Sequence, residues 1–143
     1  EQIGGLMRIL GLDVGDKTIG IAVSDELFFT AQGVEVIRRT NLEKDFARLS
    51  ALVTEYDVDT FVIGLPKNMD GSVGDRGLLV KKFADDLNSV ISGKKMIFWD
   101  ERLSTVAAQK SLIAADVSRA KRKKVIDKMA AVFILQGYLD SRK

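Results

Sequence analysis

Arg8 to Ser24 reads RILGLDVGDKTIGIAVS, two β-rich heptads separated by Gly15-Asp16-Lys17. The β-branched and leucine content of each heptad predicts a strand, and the short polar connection predicts a hairpin between them. Asp13 stands in the otherwise apolar first strand. A carboxylate there is costly unless a cation or hydrogen-bond donors meet it, so Asp13 is the first candidate metal ligand. Gly11, Gly15 and Gly20 allow backbone or ligand to approach closely, while Lys17 and Thr18 put a cation and a hydroxyl beside the turn. The competing reading is that Asp13 ends the strand and satisfies the amides of the turn.

Working outward, Gly33 to Arg39 supplies a third strand and completes an antiparallel meander. Thr40 and Glu43 have capping-box spacing, and Leu42, Phe46, Leu49, Val53 and Tyr56 recur as one helical stripe. Strand-helix units follow. Asp59 to Ile63 is apolar and runs out into Gly64-Leu65-Pro66; Leu79, Phe83, Leu87 and Ile91 then mark an amphipathic helix. Lys95 to Trp99 predicts a buried strand, and a helix is expected from about Leu103 to Ala115, with Ser104 or Thr105 near its start. Asp116 to Lys124 reads as a polar, basic connection. The closing helix, Lys124 to Ser141, carries Val125, Met129, Val132, Phe133, Gln136 and Leu139 on its stripe.

A meander followed by strand-helix units implies an α/β chain. Its expected form is a mixed five-stranded sheet, an antiparallel three-strand meander plus parallel strands, flanked by helices, which is the element order of a ribonuclease-H-like domain. A single domain is expected over residues 7–143, with Glu1 to Leu6 an extension foreign to the fold and Met7 its start.

Composition narrows the chemistry. The 143 residues include no cysteine and no histidine, which removes disulfides, zinc-thiolate sites and the commonest general base. Hydrolysis must then rest on carboxylates, lysines, hydroxyls or bound ions, and a carboxylate cluster selects hard cations such as Mg²⁺ or Mn²⁺. The net charge of +2 says little, but Arg119, Lys121, Arg122, Lys123 and Lys124 crowd five cations into six residues, a local field suited to phosphate or to a solvated face. No apolar run approaches membrane-spanning length, so a cytoplasmic protein is expected.

Three further places could carry chemistry. In Trp99-Asp100-Glu101-Arg102, a strand runs out into charge at the carboxyl end of a parallel sheet, where ligands gather. Glu101 is the candidate ligand there, with Arg102 placed to neutralise phosphate or pair with a neighbouring carboxylate; alternatively Asp100 and Glu101 only complement a helix dipole. Asp127 precedes Ala130-Ala131, whose small side chains would let the helix approach the sheet. The loop from Gly64 to Ser72 presents Pro66, Lys67 and Asn68 where substrate would arrive, with Asp70 and Asp100 as lesser carboxylates.

The blocks GLDVGDKTIGIAVSD, VIGLPKNMDGS, WDERLST and DKMAAVFILQGYL occur in the order and with the spacing of the YqgF (RuvX) family, which the chain resembles over nearly all of residues 7–143. The resemblance implies a ribonuclease-H-like fold akin to Holliday-junction resolvases and a nuclease acting on precursor 16S ribosomal RNA. It also places the acidic site on Asp13, Glu101 and Asp127, the positions reached independently above. Lys17, Thr18, Pro66, Lys67, Asn68, Arg102, Ser104, Thr105, Arg122 and Lys124 are the expected substrate-binding residues.

The expected mechanism is two-metal hydrolysis, in which cations about 3.5–4 Å apart activate water and stabilise the departing oxygen. Expected partners are structured RNA, branched DNA as an alternative, and ribosomal particles, with the protein a monomer or homodimer. Two rival readings stand beside it. Actin-like ATPases and sugar kinases also place a strand-Asp-x-Gly before a hairpin, but they need a second lobe. A non-catalytic RNA- or protein-binding factor could keep the same fold. One spacing problem remains: Glu101's strand is expected two places from Asp13's, roughly 10 Å between axes.

Overall fold

The computed structural model describes residues 7–103 and 119–142, with the backbone alone between 119 and 128. The opening hairpin forms as read: β1 (Arg8–Val14) pairs antiparallel with β2 (Thr18–Ser24), Asp13 opposite Gly20. The Gly15 N–H donates to the Thr18 carbonyl at 2.8 Å and closes the turn. β3 (Ala31–Arg38) begins two residues before the expected Gly33. Its first N–H, on Ala31, has an acceptor in the Gln136 side chain at 2.9 Å, while Asp25 takes the N–H groups of Phe29 and Thr30.

α1 (Leu42–Tyr56) buries Phe46, Leu49 and Leu52. Its cap is one residue later than expected: the Asn41 side chain accepts from Lys44 N–H at 2.9 Å, and Thr40 instead donates its N–H to Asp45. Asp57, at φ 54°, takes the left-handed conformation that ends the helix. β4 (Val58–Leu65) then lies parallel to β1, α2 (Asp75–Val90) returns, and β5 (Lys95–Asp100) lies parallel to β4. The sheet order is β3-β2-β1-β4-β5, the mixed topology expected from the sequence.

Other expectations need larger corrections. α3 (Arg119–Ser141) absorbs most of the predicted basic connection; Arg, Lys and Ala are strong helix formers, and neither glycine nor proline interrupts them. On α2 Leu79 faces outward at 60% exposure and Val80 takes the core position, because the stripe turns with Gly77, Val80, Phe83, Ala84 and Leu87. β5 is an edge strand of half-buried and exposed residues rather than a buried one, having one neighbour in the sheet. Glu101 to Leu103 are helical, as the start of the next predicted helix; the rest of it, Ser104 and Thr105 included, lies outside the described residues.

The sheet has a core on each face. Leu10, Leu12 and Val14 of β1 pack with Phe46, Leu49, Phe83 and Leu87 beneath α1 and α2. Ile9, Ala22 and Val62 pack with Ala131, Ile134, Leu135 and Leu139 of α3 on the opposite face. Of the expected α3 stripe Leu139 is buried, whereas Met129, Val132, Phe133 and Gln136 are only half-buried and Ala131, Ile134 and Leu135 take the other core positions. The expected close approach at Ala131 does occur: a Cβ at Gly11 would lie 3.2 Å from the Ala131 carbonyl and 2.8 Å from Leu135 Cβ. Among the described residues no helix is long and apolar enough to cross a membrane.

The cap assignment is testable. Asn41→Ala should cost about 1 kcal/mol and lower the melting temperature by roughly 3–5 °C, whereas Thr40→Ala should have a much smaller effect in the same thermal melts.

Candidate active site

Strand alternation sends Ile9, Gly11 and Asp13 to the α3 face of β1, while Leu10, Leu12 and Val14 enter the opposite core. Register places the neighbouring strands at the same height: Leu12 pairs with Ile63, and Gly64 pairs with Trp99. Glu101 follows two residues beyond Trp99. Its carboxyl comes within interaction range of the Asp13 carboxyl, which raises its proton affinity, although β4 lies between their strands.

Gly64 is the reason this reach succeeds. A Cβ at Gly64 would lie 3.3 Å from Glu101 Oε2 and 2.5 Å from Ile134 Cδ1, so the bare backbone of β4 leaves a passage over which Glu101 crosses toward β1. A glycine inside an otherwise apolar strand is the sequence signal for such an approach. The two-strand separation that the sequence raised as an obstacle is closed by the side chain passing over this glycine.

The electrostatics are unfavourable for two bare carboxylates. Burial, then the facing Asp13 charge, pushes the Glu101 carboxyl up to about 7, while Arg76 pulls the other way. The pair therefore holds a proton near neutrality. Hard oxygen donors forced together in a chain without histidine or cysteine suit Mg²⁺ or Mn²⁺, whose charge would replace that proton. Among the described residues no three potential metal-ligating side chains converge; the convergence is of Asp13 and Glu101. Asp127 lies in α3, four residues before Ala131, with its side chain outside the described residues, as are those of Arg122 and Lys124.

Arg102 does not project as an unengaged phosphate ligand. It is wrapped on Asp100, with Nη2 to Oδ2 at 2.7 Å and Nε to Oδ1 at 3.0 Å, and its Nη1 donates to the carbonyls of Asn68 and Met69. That hydrogen bonding holds the Asp100 carboxyl below the usual carboxylate range. The β4–α2 loop is organised from within as well. Asn68 donates to Ser72 Oγ at 3.0 Å, and Asp70 accepts from both the N–H and the hydroxyl of Ser72. Asp70 is thereby occupied inside its loop. Pro66 and Lys67 are half-buried, Asn68 and Met69 exposed.

The β1–β2 turn is fastened from the opposite side. Arg39 donates from Nη1 to the Gly15 carbonyl at 2.6 Å and from its backbone N–H to the Lys17 carbonyl at 2.8 Å, and its Nε lies 3.6 Å from the buried Asp45. This fixes Lys17 and Thr18 beside the end of β1. Sequence reading passed over Arg39, Gly64 and Arg76. Arg76 carried a signal: a cation in a helix's first turn opposes the helix dipole and calls for another reason to be there.

A mixed sheet in this order, with acidic side chains meeting at the carboxyl ends of its parallel strands, has the ribonuclease-H-like fold. Solved structures bear out the fold. RuvC of T. thermophilus in complex with Holliday junction substrate superposes with a TM-score of 0.57 at 14% identity, covering 95% of each chain. The fowlpox virus Holliday junction resolvase gives 0.55 at 20% identity, covering 94% of this chain and 99% of its own. A family model described as RuvX, Holliday junction resolvase, matches residues 7–141, and the chain belongs to that family. Relatives carrying the provisional name of pre-16S rRNA nuclease include one from Desulforamulus reducens, 62% identical over 94% of this chain and 98% of its own length. Another, from Clostridium tetani, is 57% identical over 94% and 97%.

Two outcomes follow from the geometry. Gly64→Val should cost about 1–3 kcal/mol by overpacking against Ile134, read as a lowered unfolding midpoint, and should separate Glu101 from Asp13. The folded state holds the Glu101 proton more tightly than the unfolded state does. In chelator the pair's contribution to stability is therefore full below about 4.5 and lost as pH rises to about 7. Asp13→Asn should relieve this, so its melting temperature should gain on the parent's between about pH 5 and 8, by roughly 2–5 °C. A constant difference across that range would contradict the assignment.

Proposed function

We propose that this chain is a divalent-cation-dependent nuclease that hydrolyses RNA phosphodiesters in maturing the 5′ end of precursor 16S ribosomal RNA. The observation that carries the reading is the Asp13–Glu101 contact: two carboxyls brought together in a partly buried place, at a sheet edge where substrate has access. The names borne by relatives sharing 57–62% of its residues support RNA as the substrate class.

Asp13 and Glu101 would hold Mg²⁺ or Mn²⁺, and Asp127, one helical turn ahead of Ala131 in sequence, would supply a third carboxylate. When bound, the ions supply an activated water and charge neutralisation at the departing oxygen. The protein's own part is positional. Glu101 would offer its carboxylate to a cation in place of the proton it holds, Gly64 keeps the passage between β1 and β5 open, and Arg39 holds the β1–β2 turn. Lys17 and Thr18 on one side, and Pro66, Lys67 and Asn68 on the other, border the approach of the nucleic acid. Arg102 braces the second border through the carbonyls of Asn68 and Met69. Ser104, Thr105, Arg122 and Lys124, named from the sequence alone, are further candidates to bind phosphate, and the ribosomal particle is the partner on which the RNA arrives.

Purified protein offered a structured precursor 16S RNA and a four-way DNA junction side by side should cleave the RNA with Mg²⁺ or Mn²⁺ and stop in chelator. Asp13→Asn and Glu101→Gln should each lower the rate by roughly 10³-fold, the loss of several kcal/mol of transition-state stabilisation. Full activity in Asp13→Asn overturns the mechanism. Cleavage of the junction alone moves the substrate to branched DNA, as the family's description has it.

A further inference from the structure

Arg76 is the second residue of α2, and its place is set by tight packing around it. A Cβ at Gly77 would lie 2.8 Å from the Pro66 carbonyl, and one at Gly74 would lie 2.9 Å from Asn68 Oδ1. The first turn of α2 thus rests directly on the chain leaving β4, at the same sheet edge as Asp13 and Glu101. From there the guanidinium reaches across to the β1–β2 turn, where Nη1 meets Asp16 Oδ1 at 2.6 Å. Its charge also reaches Glu101, whose carboxyl it pulls down against burial and Asp13.

Neither local partner accounts for an arginine here. A cation in the first helical turn opposes the macrodipole. The ion pair with Asp16 is exposed on both sides, 51% and 75%, and pairs of that kind contribute little to stability. The other arginines at this edge are committed. Arg102 is engaged with Asp100 and two loop carbonyls, and Arg39 with Gly15 and Asp45. Among the described residues the Arg76 side chain makes one hydrogen bond, to Asp16, and a guanidinium has donors beyond that one, in a planar fork that matches two oxygens of a phosphate.

We infer that Arg76 is a substrate-binding residue, gripping a backbone phosphate of the RNA beside the Asp13–Glu101 site, with Asp16 holding the guanidinium at the edge until the phosphate replaces it. A charge-assisted, bidentate contact with phosphate outcompetes a solvated surface carboxylate. The grip brings the nucleic acid to two groups that would otherwise repel it. This assignment rests on the RNA-cleaving reading above, and its test separates the two.

Binding of a fluorescein-labelled RNA hairpin with a single-stranded 5′ extension, followed by anisotropy in EDTA over a range of salt, reads the contact without metal or cleavage. Arg76→Ala should bind about tenfold more weakly. Its plot of log K against log salt should lose about one unit of slope. Lys82→Ala, which removes an exposed cation one to two turns further along α2, should leave the slope unchanged. Arg76→Lys should recover the slope while leaving the metal-supported cleavage rate depressed, since an ammonium lacks the fork. An unchanged slope in Arg76→Ala, or equal losses in Arg76→Ala and Lys82→Ala, overturns the assignment and leaves the nuclease reading standing. A parent protein that shows no salt-sensitive RNA binding overturns both. Thermal melts of each variant exclude unfolding as the cause.

Discussion

Two like-charged side chains from strands that are not neighbours meet over a glycine, and much of this molecule is arranged around that meeting. A carboxylate pair in partial burial is an electrostatic liability, tolerable when a proton or a cation sits between the oxygens. The protein does not disperse the charge by turning either group to solvent. It holds β1, β4 and β5 in a register that puts Asp13, Gly64 and Trp99 at one height and leaves Glu101 just beyond. α3 then covers the strands below, through contacts so close that Gly11 and Gly64 have no room for side chains without a shift.

The surroundings reinforce this placement by fastening loops rather than by adding ligands. Arg39 reaches through from the α1 side to the carbonyl of Gly15, and Arg102 clasps Asp100 and two carbonyls of the β4–α2 loop. Each guanidinium spends its directional donors on backbone carbonyls and one carboxylate, a use for which the planar fork is better suited than an ammonium. Loops bordering the carboxylates are in this way tied to structured elements on both sides of the gap.

Much of this was legible beforehand because the sequence periodicities are strong. The paired heptads around Gly15-Asp16-Lys17 fix the hairpin, and the strand-helix alternation fixes the mixed sheet. Asp13 stood out by violating the apolar pattern of its own strand, and Glu101 by following a strand's carboxyl end. What was not legible depends on three-dimensional register. Gly64 read as the first residue of the loop after Ile63, whereas it lies within β4 and forms the gap beneath another strand's side chain. For Arg102 the sequence left two uses open, phosphate or a neighbouring carboxylate, and only the folded chain shows it on Asp100 and the carbonyls of Asn68 and Met69. On α2 and α3, several apolar residues compete for one face, and packing against the sheet selects Val80 over Leu79 and Ile134 over Phe133. The basic segment misled because its polarity suggested a loop, although its residues favour helix.

The alternation along β1 separates two kinds of inheritance within seven residues. Even-numbered positions, Leu10, Leu12 and Val14, belong to the larger apolar layer, while odd-numbered Ile9, Gly11 and Asp13 look toward α3 and the acidic pair. Parity therefore divides one strand into a scaffold ledge and a working ledge. An engineer seeking a sturdier protein has a whole sheet surface, the one under α1 and α2, on which to repack hydrocarbon without disturbing the side on which the carboxylates meet.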